Sequence, residues 1–184
     1  MQKKIIQISC CLAVFLLSLS LSGNAQSLTS EEIKTQLVKD WERAKTYTIE
    51  YLNAMPAGKY SFKPTDSVRT FAQQMLHITG GNYFLMSAAA DQKPPSMRAD
   101  LETSPGAQTK DSVMFFVNAG YDYCINTVKN SDINKWGEKK TLMKMEETRL
   151  SFMLKAFEHQ THHRGQTTIY LRMAGVRPPP EKLF

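Results

Sequence analysis

Three of the four histidines in the chain lie within five residues, 159–163, in the run EHQTHHRGQ that extends from Glu158 to Gln166. His159 and His163 are four residues apart, so a helix would place both imidazoles on one face, with Cβ atoms roughly 6 Å apart. That spacing suits two ligands of one metal ion. The fourth histidine, His77, lies in a separate amphipathic segment. A site with three imidazoles therefore requires the two segments to pack against each other.

A heptad-like stripe predicts that His159 and His163 point into the protein. Two buried imidazoles need partners for all their nitrogens, which either a divalent cation or a metal-free polar network would provide. A cation takes one nitrogen of each neutral ring and leaves the other N–H for a second acceptor. The spacing favours the metal, although the polar network stays open. The predicted stripe comprises Phe152, Ala156, His159, His163, Gln166, Tyr170 and Met173.

Other residues of the run have different predicted roles. His162 lies about 100° around the helix from His163, so we expect it behind the ligand residues, at the mouth of the site or at an interface, where Glu158 could pair with it. Arg164 also lies off the stripe, which predicts an ion pair or a helix contact, or else an anion site at the rim. Gln160 occupies the position of the general base in the HExxH motif of zinc proteases. Because an amide cannot accept that proton, a protease of this type is excluded.

Four amphipathic segments predict the helices that must position these side chains. Thr29 and Glu32 form a capping-box pattern at the start of the first segment. Gly80 and Gly81 interrupt the second, which predicts close approach of a neighbouring helix or a ligand, or else a kink. The predicted helices span about Thr29–Met55, Thr70–Ala89, Lys110–Lys129 and Thr148–Ala174.

The connections between these segments complete the predicted fold. Residues Asp91 to Ala107 contain three prolines and show no periodicity, so they form a long crossover between helices 2 and 3. The segment from Ser131 to Glu146 is ambiguous and is assigned no element. The pattern predicts an all-α four-helix bundle, without a strand-rich region.

The first 25 residues have the features of a secretory signal peptide. Lys3 and Lys4 precede an apolar run from Ile5 to about Leu21, and small residues follow at 23–25. We expect cleavage before Gln26, which leaves a domain of residues 26–184 and no stable membrane span. The protein would then be exported to the periplasm or the extracellular space. An uncleaved membrane anchor is the alternative reading.

Composition restricts the expected partners and chemistry. The loss of Lys3 and Lys4 would lower the formal net charge from +6 to +4, and the basic residues form no stripe, so nucleic acid is not an expected partner. The mature chain would retain only Cys124, so no disulfide can form within it. Apolar neighbours indicate a buried core thiol at this position rather than a nucleophile.

The chain resembles the DinB/YfiT-like superfamily, in particular the DinB-like domain proteins that carry a histidine in helix 2 and a C-terminal HxxHHRGQ element. The resemblance covers most of the predicted mature chain, and the HHRGQ element with an upstream helical histidine is its most specific part. The matching pieces are Met55-Pro56, residues 60–65, Arg69-Thr70-Phe71 leading to His77, residues 82–84, His159 to Gln166, residues 170–172, Gly175-Val176 and Pro178-Pro179.

The resemblance implies an up-down-down-up bundle in which His77, His159 and His163 hold a divalent metal ion. Relatives include transferases and isomerases that use bacillithiol, mycothiol or glutathione, and many are dimers, so a homodimer is expected. Three imidazoles suit zinc or nickel, with iron, manganese or copper as alternatives.

Two classes of function agree with these features. One is an exported metal-dependent transferase or hydrolase with an unknown small-molecule substrate, in which the metal activates a thiol or a water. Low-molecular-weight thiols belong mainly to the cytosol, so the predicted export weakens the case for a thiol. The other is a catalytically silent metal-binding or stress-related domain. No general base can be assigned, although Gln166 and Tyr170 could orient a ligand.

Overall fold

Four long helices make up most of the described chain. The computed structural model describes residues 27–90, 93 and 100–184. Helices α1 and α2 each pack against both α3 and α4, and the most extensive interface joins α2 to α4. The predicted four-helix bundle of up-down-down-up type, with its long connection between α2 and α3, is confirmed. The helices are α1 (Ser30–Ala54), α2 (Phe71–Ala89), α3 (Lys110–Asn130) and α4 (Arg149–Met173).

A threonine precedes each helix and caps it. Its hydroxyl accepts a hydrogen bond from the backbone N–H three residues further on, a contact typically worth about 1 kcal/mol. The predicted capping box of Thr29 and Glu32 is present, and Thr70 and Gln73 form a second one at the start of α2. These caps fix where the helices begin. The capping threonines are Thr29, Thr70, Thr109 and Thr148.

All four helices contribute fully or almost fully buried aromatic side chains to one hydrophobic core. They are Trp41 of α1, Phe71 of α2, Tyr121 of α3 and Phe152 of α4. Cys124 of α3 is also fully buried, and its burial raises the pKa of the thiol well above the ordinary value. The prediction of a buried core thiol is confirmed, because a protonated and enclosed sulfur is not nucleophilic.

A short antiparallel hairpin precedes α4, in the region that the sequence left unassigned. Strand β1 (Lys139–Leu142) pairs with β2 (Met145–Thr148), with Leu142 opposite Met145. Met143, in the turn, adopts a positive φ of 55°. The side chain of Leu142 packs against the core, and β1 contacts α2. The hairpin therefore forms a wall beside the α2–α4 interface.

The buried face of α4 departs from the predicted stripe after Ala156. Gln166 is exposed and Met173 is 56% exposed, so these two residues were wrongly placed on the inward face. Arg164, predicted to lie off that face, is only 6% exposed. An α-helix has 3.6 residues per turn, so a stripe with a strict period of 3.5 drifts around it by about 20° per heptad. The buried positions continue through Gln160, Arg164, Thr167 and Leu171, and Tyr170 of the predicted stripe is buried as well.

The N-terminal predictions concern residues outside the described part of the chain. The predicted signal peptide, 1–25, and the expected mature N-terminus at Gln26 both lie there. Among the described residues, no helix combines the length and apolar character that crossing a bilayer requires.

Candidate metal centre

Three imidazoles meet at the interface between α2 and α4. The ring centroid of His77 lies 4.4 Å from that of His163 and 5.1 Å from that of His159, and the centroids of His159 and His163 are 4.4 Å apart. One ring nitrogen of each histidine lies within 4.8 Å of one nitrogen of each of the other two. The structure thus brings together the three residues that the sequence singled out, and they could hold one metal ion.

Gly81 allows His159 to approach α2 closely. A Cβ atom added to Gly81 would lie 2.1 Å from Cε1 of His159, well inside any possible contact. Gly80, by contrast, has nothing within 4 Å of such an atom. Helix α2 continues through both glycines. One of the predicted roles of the two glycines was to allow close approach of a neighbouring helix. Gly81 has this role, and Gly80 does not.

Glu102 holds the ring of His77 in place. Nδ1 of His77 lies 2.6 Å from Oε1 of Glu102, and Nε of Arg69 donates to Oε2 of the same carboxylate at 2.7 Å. Burial alone would raise the pKa of Glu102, but the hydrogen bonds from His77 and Arg69 outweigh it and hold the pKa below its ordinary value. The ionised carboxylate favours a proton on Nδ1, which leaves the Nε2 lone pair of His77 available to a metal.

Two glutamines orient His163. Its Nδ1 lies 2.8 Å from Nε2 of Gln74 and 3.1 Å from Oε1 of Gln166, and the two amides also bond to each other. Nε2 of Gln166 in turn lies 3.1 Å from Nε2 of His162. In the tautomer that donates Nδ1–H to Oε1 of Gln166, His163 offers its Nε2 as the ligand atom. Gln166 therefore links the three-histidine cluster to His162.

His159 has a buried nitrogen that no described residue satisfies. Its Nδ1 is enclosed and has no hydrogen-bond partner within the described part of the chain. Leaving a polar atom in this state costs about 1–3 kcal/mol. A bound cation would satisfy one nitrogen of the ring and help to offset the cost of burying it. This orphaned atom is an observation independent of the spacing of the histidines.

Burial keeps the rings of His159 and His163 neutral. It lowers the pKa of His159 to about 4, helped by the positive charge that His163 and His77 can carry. Burial likewise lowers the pKa of His163 to about 4, helped by His77 and opposed by the hydrogen bond with Gln166. A neutral imidazole is the form that binds a metal. Neither His159 nor His163 therefore has to lose a proton before it binds a divalent cation at neutral pH.

The cluster provides three protein ligands and leaves room for others. Within the described residues, no fourth histidine, cysteine, aspartate or glutamate joins the group. Three nitrogen ligands with an open position are typical of catalytic zinc sites, whereas structural sites are usually closed by a fourth protein ligand. All three rings are partly accessible to solvent. The arrangement is suited to binding a substrate.

His162 and Glu158 do not pair as predicted. His162 is exposed and lies at the mouth of the site, as expected, but Glu158 bonds to Lys155 at 2.8 Å. Tyr170, a candidate for orienting a ligand, donates its hydroxyl to the backbone oxygen of Arg69 at 2.9 Å. Tyr170 therefore positions the segment that carries Arg69, and the guanidinium of Arg69 bonds to Glu102 beside the site.

Gln160 and Arg164 belong to a buried polar network on the core side of α4. Oε1 of Gln160 accepts hydrogen bonds from Tyr121 at 2.8 Å and from Arg164 at 2.9 Å, and the Tyr121 hydroxyl also lies 2.7 Å from Oγ1 of Thr48. The guanidinium of Arg164 lies over the ring of Tyr47 at 4.7 Å. Arg164 therefore makes a helix contact, one of its predicted roles. Because Arg164 is buried, the alternative prediction of an anion site at the rim is wrong.

Sequence reasoning missed Gln74 and Glu102. Both reach the histidines from elsewhere in the chain, and Glu102 comes from the long connection, where no periodicity marks one residue over its neighbours. The only signal was general: a metal-bound histidine usually donates its second N–H to a carboxylate or carbonyl. That rule predicts an acceptor near His77 without identifying it.

The chain matches a known protein family over most of its length. The DinB family model matches residues 25–183, nearly the whole chain. The chain belongs to the DinB family. No curated protein is similar enough to count as a match.

Solved DinB-like structures share the fold. One from Bacillus cereus is 15% identical, with a TM-score of 0.69, over 79% of this chain and 95% of the other. Another, YjoA from Bacillus subtilis, is 16% identical, with a TM-score of 0.64, over 79% of this chain and 96% of the other. At these identities the comparison establishes the fold alone.

Proposed function

We propose that this DinB family protein is an exported metal-dependent enzyme, a transferase or hydrolase, in which His77, His159 and His163 hold one divalent cation. The meeting of the three rings across the α2–α4 interface carries the proposal, together with Nδ1 of His159, to which no described residue forms a hydrogen bond. Zinc or nickel is the expected ion, and iron, manganese or copper also bind imidazole.

The surrounding residues have separate tasks in such a site. Glu102 keeps the Nε2 lone pair of His77 free, and Oε1 of Gln166, as an acceptor for Nδ1–H, does the same for His163. His162, exposed and in contact with Gln166, is placed to exchange a proton with a ligand at the mouth. A divalent cation would supply Lewis acidity, which makes a thiol or a water a better nucleophile at neutral pH.

The resemblance to thiol-dependent transferases supports thiol transfer, and the predicted export is an argument for hydrolysis instead. Low-molecular-weight thiols are mainly cytosolic, whereas water is available in every compartment. The predicted signal peptide is tested by sequencing the N-terminus of the native protein. We expect Gln26; a native protein that begins at Met1 would contradict export with cleavage.

Elemental analysis tests the metal centre directly. The purified wild type should carry a stoichiometric transition metal, and the variants His77→Ala, His159→Ala and His163→Ala should lose it. His162→Ala is the matched control, because it removes a neighbouring exposed imidazole outside the cluster. Equal loss of metal in the control, or retention in the His77 variant, would contradict the assignment.

A further inference from the structure

A groove of about 570 Å³ opens beside the metal centre, between α2, α4 and β2. Its volume lies within the range of small-molecule sites. His159 belongs both to the three-histidine cluster and to the wall of the groove, and His162 lines the same wall. A ligand in this groove would therefore border the metal centre directly.

One part of the groove is apolar. Leu85 of α2, Phe152 of α4 and Met145 of β2 line it together. Met145 is 42% exposed, although a thioether side chain gains by burial. An apolar ligand body would cover these three side chains and contact all three elements.

The charged part of the groove is acidic. It carries three carboxylates, Glu146, Glu147 and Glu158, and one ammonium group, Lys155. Glu158 bonds to Lys155 at 2.8 Å, and Glu146 bonds to Lys139 at 2.8 Å.

Glu147 is the third carboxylate of the groove. It has no ion-pair contact within 4.0 Å in the described ranges 27–90, 93 and 100–184, although its charge also acts on Lys155. The groove is thus negatively charged in a protein whose formal net charge is +6. An unpaired carboxylate beside an apolar wall complements a cation that carries an apolar group.

We propose that the groove binds a small organic cation, with its ammonium group beside Glu147 and its apolar body against Leu85, Met145 and Phe152. His159 lines the same groove, so such a molecule would lie next to the three-histidine cluster. The inference that small organic cations are the substrates of this protein rests on the proposed metal-dependent function. The inference that the groove binds them does not. A ligand with a carboxylate in place of the ammonium group would meet repulsion from Glu147.

Three probes with the same apolar body separate charge from shape: 4-phenylbutylamine, 4-phenylbutanol and 4-phenylbutyrate. Calorimetric titration with a chelator present, so that neither the amine nor the carboxylate of a probe can bind a metal ion, gives their affinities, and the NMR signal of the Met145 methyl group reports binding in the groove. We expect the amine to bind up to about fivefold more tightly than the alcohol, as for an exposed ion pair. The butyrate should bind most weakly. Salt should reduce the preference for the amine.

Substitutions assign the preference to one carboxylate. Glu147→Gln should bring the affinity for the amine down to that for the alcohol and leave the alcohol unchanged. Glu42→Gln is the matched control, because Glu42 is a surface carboxylate of α1 that does not line the groove. Butyrate binding as tightly as the amine, a preference that survives Glu147→Gln, or an unshifted Met145 methyl signal would each overturn the proposal.

The same titration in His77→Ala separates the two proposals, since His77 does not line the groove. Amine binding in this variant, together with a wild type that carries no metal, would support the groove and defeat the metal-dependent function. A wild type that holds metal but binds none of the probes would do the reverse.

Discussion

Nδ1 of His77 and Oε1 of Glu102 are 2.6 Å apart, although 25 residues separate them in the chain. This contact holds the long connection between α2 and α3 against the three-histidine cluster. The backbone oxygen of Glu102 also accepts a hydrogen bond from the side chain of Gln108 at 3.0 Å, so the residue is held at both ends. The position of the first ligand ring therefore depends on a loop residue that is itself fixed.

Glu102→Gln should weaken metal binding about 10- to 100-fold, the usual effect of removing the acceptor behind a ligand histidine. The amide can still accept a hydrogen bond, but it no longer supplies the negative charge that favours a proton on Nδ1 of His77. Competition with a chromophoric chelator gives the affinity. Glu138→Gln, which alters a carboxylate bonded to Arg149 instead, is the control. Equal affinities in the Glu102 variant and the wild type would contradict the role assigned to this carboxylate.

Gly81→Ala should reduce metal content sharply, because the new methyl group would lie 2.1 Å from Cε1 of His159 and must displace the ring. Gly80→Ala is a closely matched control on the same helix, since its methyl group meets open space. It should keep the metal and raise the free energy of unfolding by up to about 1 kcal/mol through helix propensity. Metal analysis and urea unfolding of both variants test this pair. Full metal content in Gly81→Ala would show that the close approach is not needed.

The four helices were predictable because their signals are local. A threonine cap and a run of apolar residues at helical spacing mark each start, so the predicted third helix, Lys110–Lys129, differs from the observed one by a single residue. The hairpin was not predictable in this way. Its strands are four residues long and mostly exposed, and its turn places Met143 at a positive φ without the glycine that usually signals it.

The candidate ligands were predictable for a different reason: His159 and His163 share a helical face, and the family resemblance implies His77 as the third. The residues that orient the rings were not, since Gln74 and Glu102 contact His163 and His77 only after the chain has folded. The helical face of Arg164 was misjudged because a period of 3.5 and one of 3.6 diverge over the length of α4. Local sequence patterns thus predict the helices and the candidate ligand histidines. The residues that orient the histidine rings are determined by tertiary packing.

The metal-free protein should lose stability as the pH falls from about 6.5 towards 4. In the fold, the pKa of His159 and that of His163 are both about 4, whereas the ordinary value is 6.5. The unfolded chain therefore binds more protons in this window, and stability that is present above pH 6.5 disappears as the pH falls through it. Urea midpoints at about pH 7 and about pH 5, measured with a chelator present, test the slope.

A double variant, His159→Gln with His163→Gln, is the control for this pH dependence. Its midpoint should change less between the two pH values, because the two groups with lowered pKa values are gone. Identical slopes in the wild type and the double variant would mean that other groups cause the acid sensitivity.

Gln160→Glu would complete the HExxH motif in sequence, yet it should not produce a peptidase. The side chain at this position is fully buried on the core side of α4, where Oε1 accepts hydrogen bonds from Tyr121 and Arg164. A carboxylate there would pair with the Arg164 guanidinium and could not reach a water beside His159 and His163. We expect unchanged metal content and no cleavage of a casein substrate. Metal-dependent proteolysis in this variant would show that residue 160 can turn towards the cluster, contrary to the packing of α4.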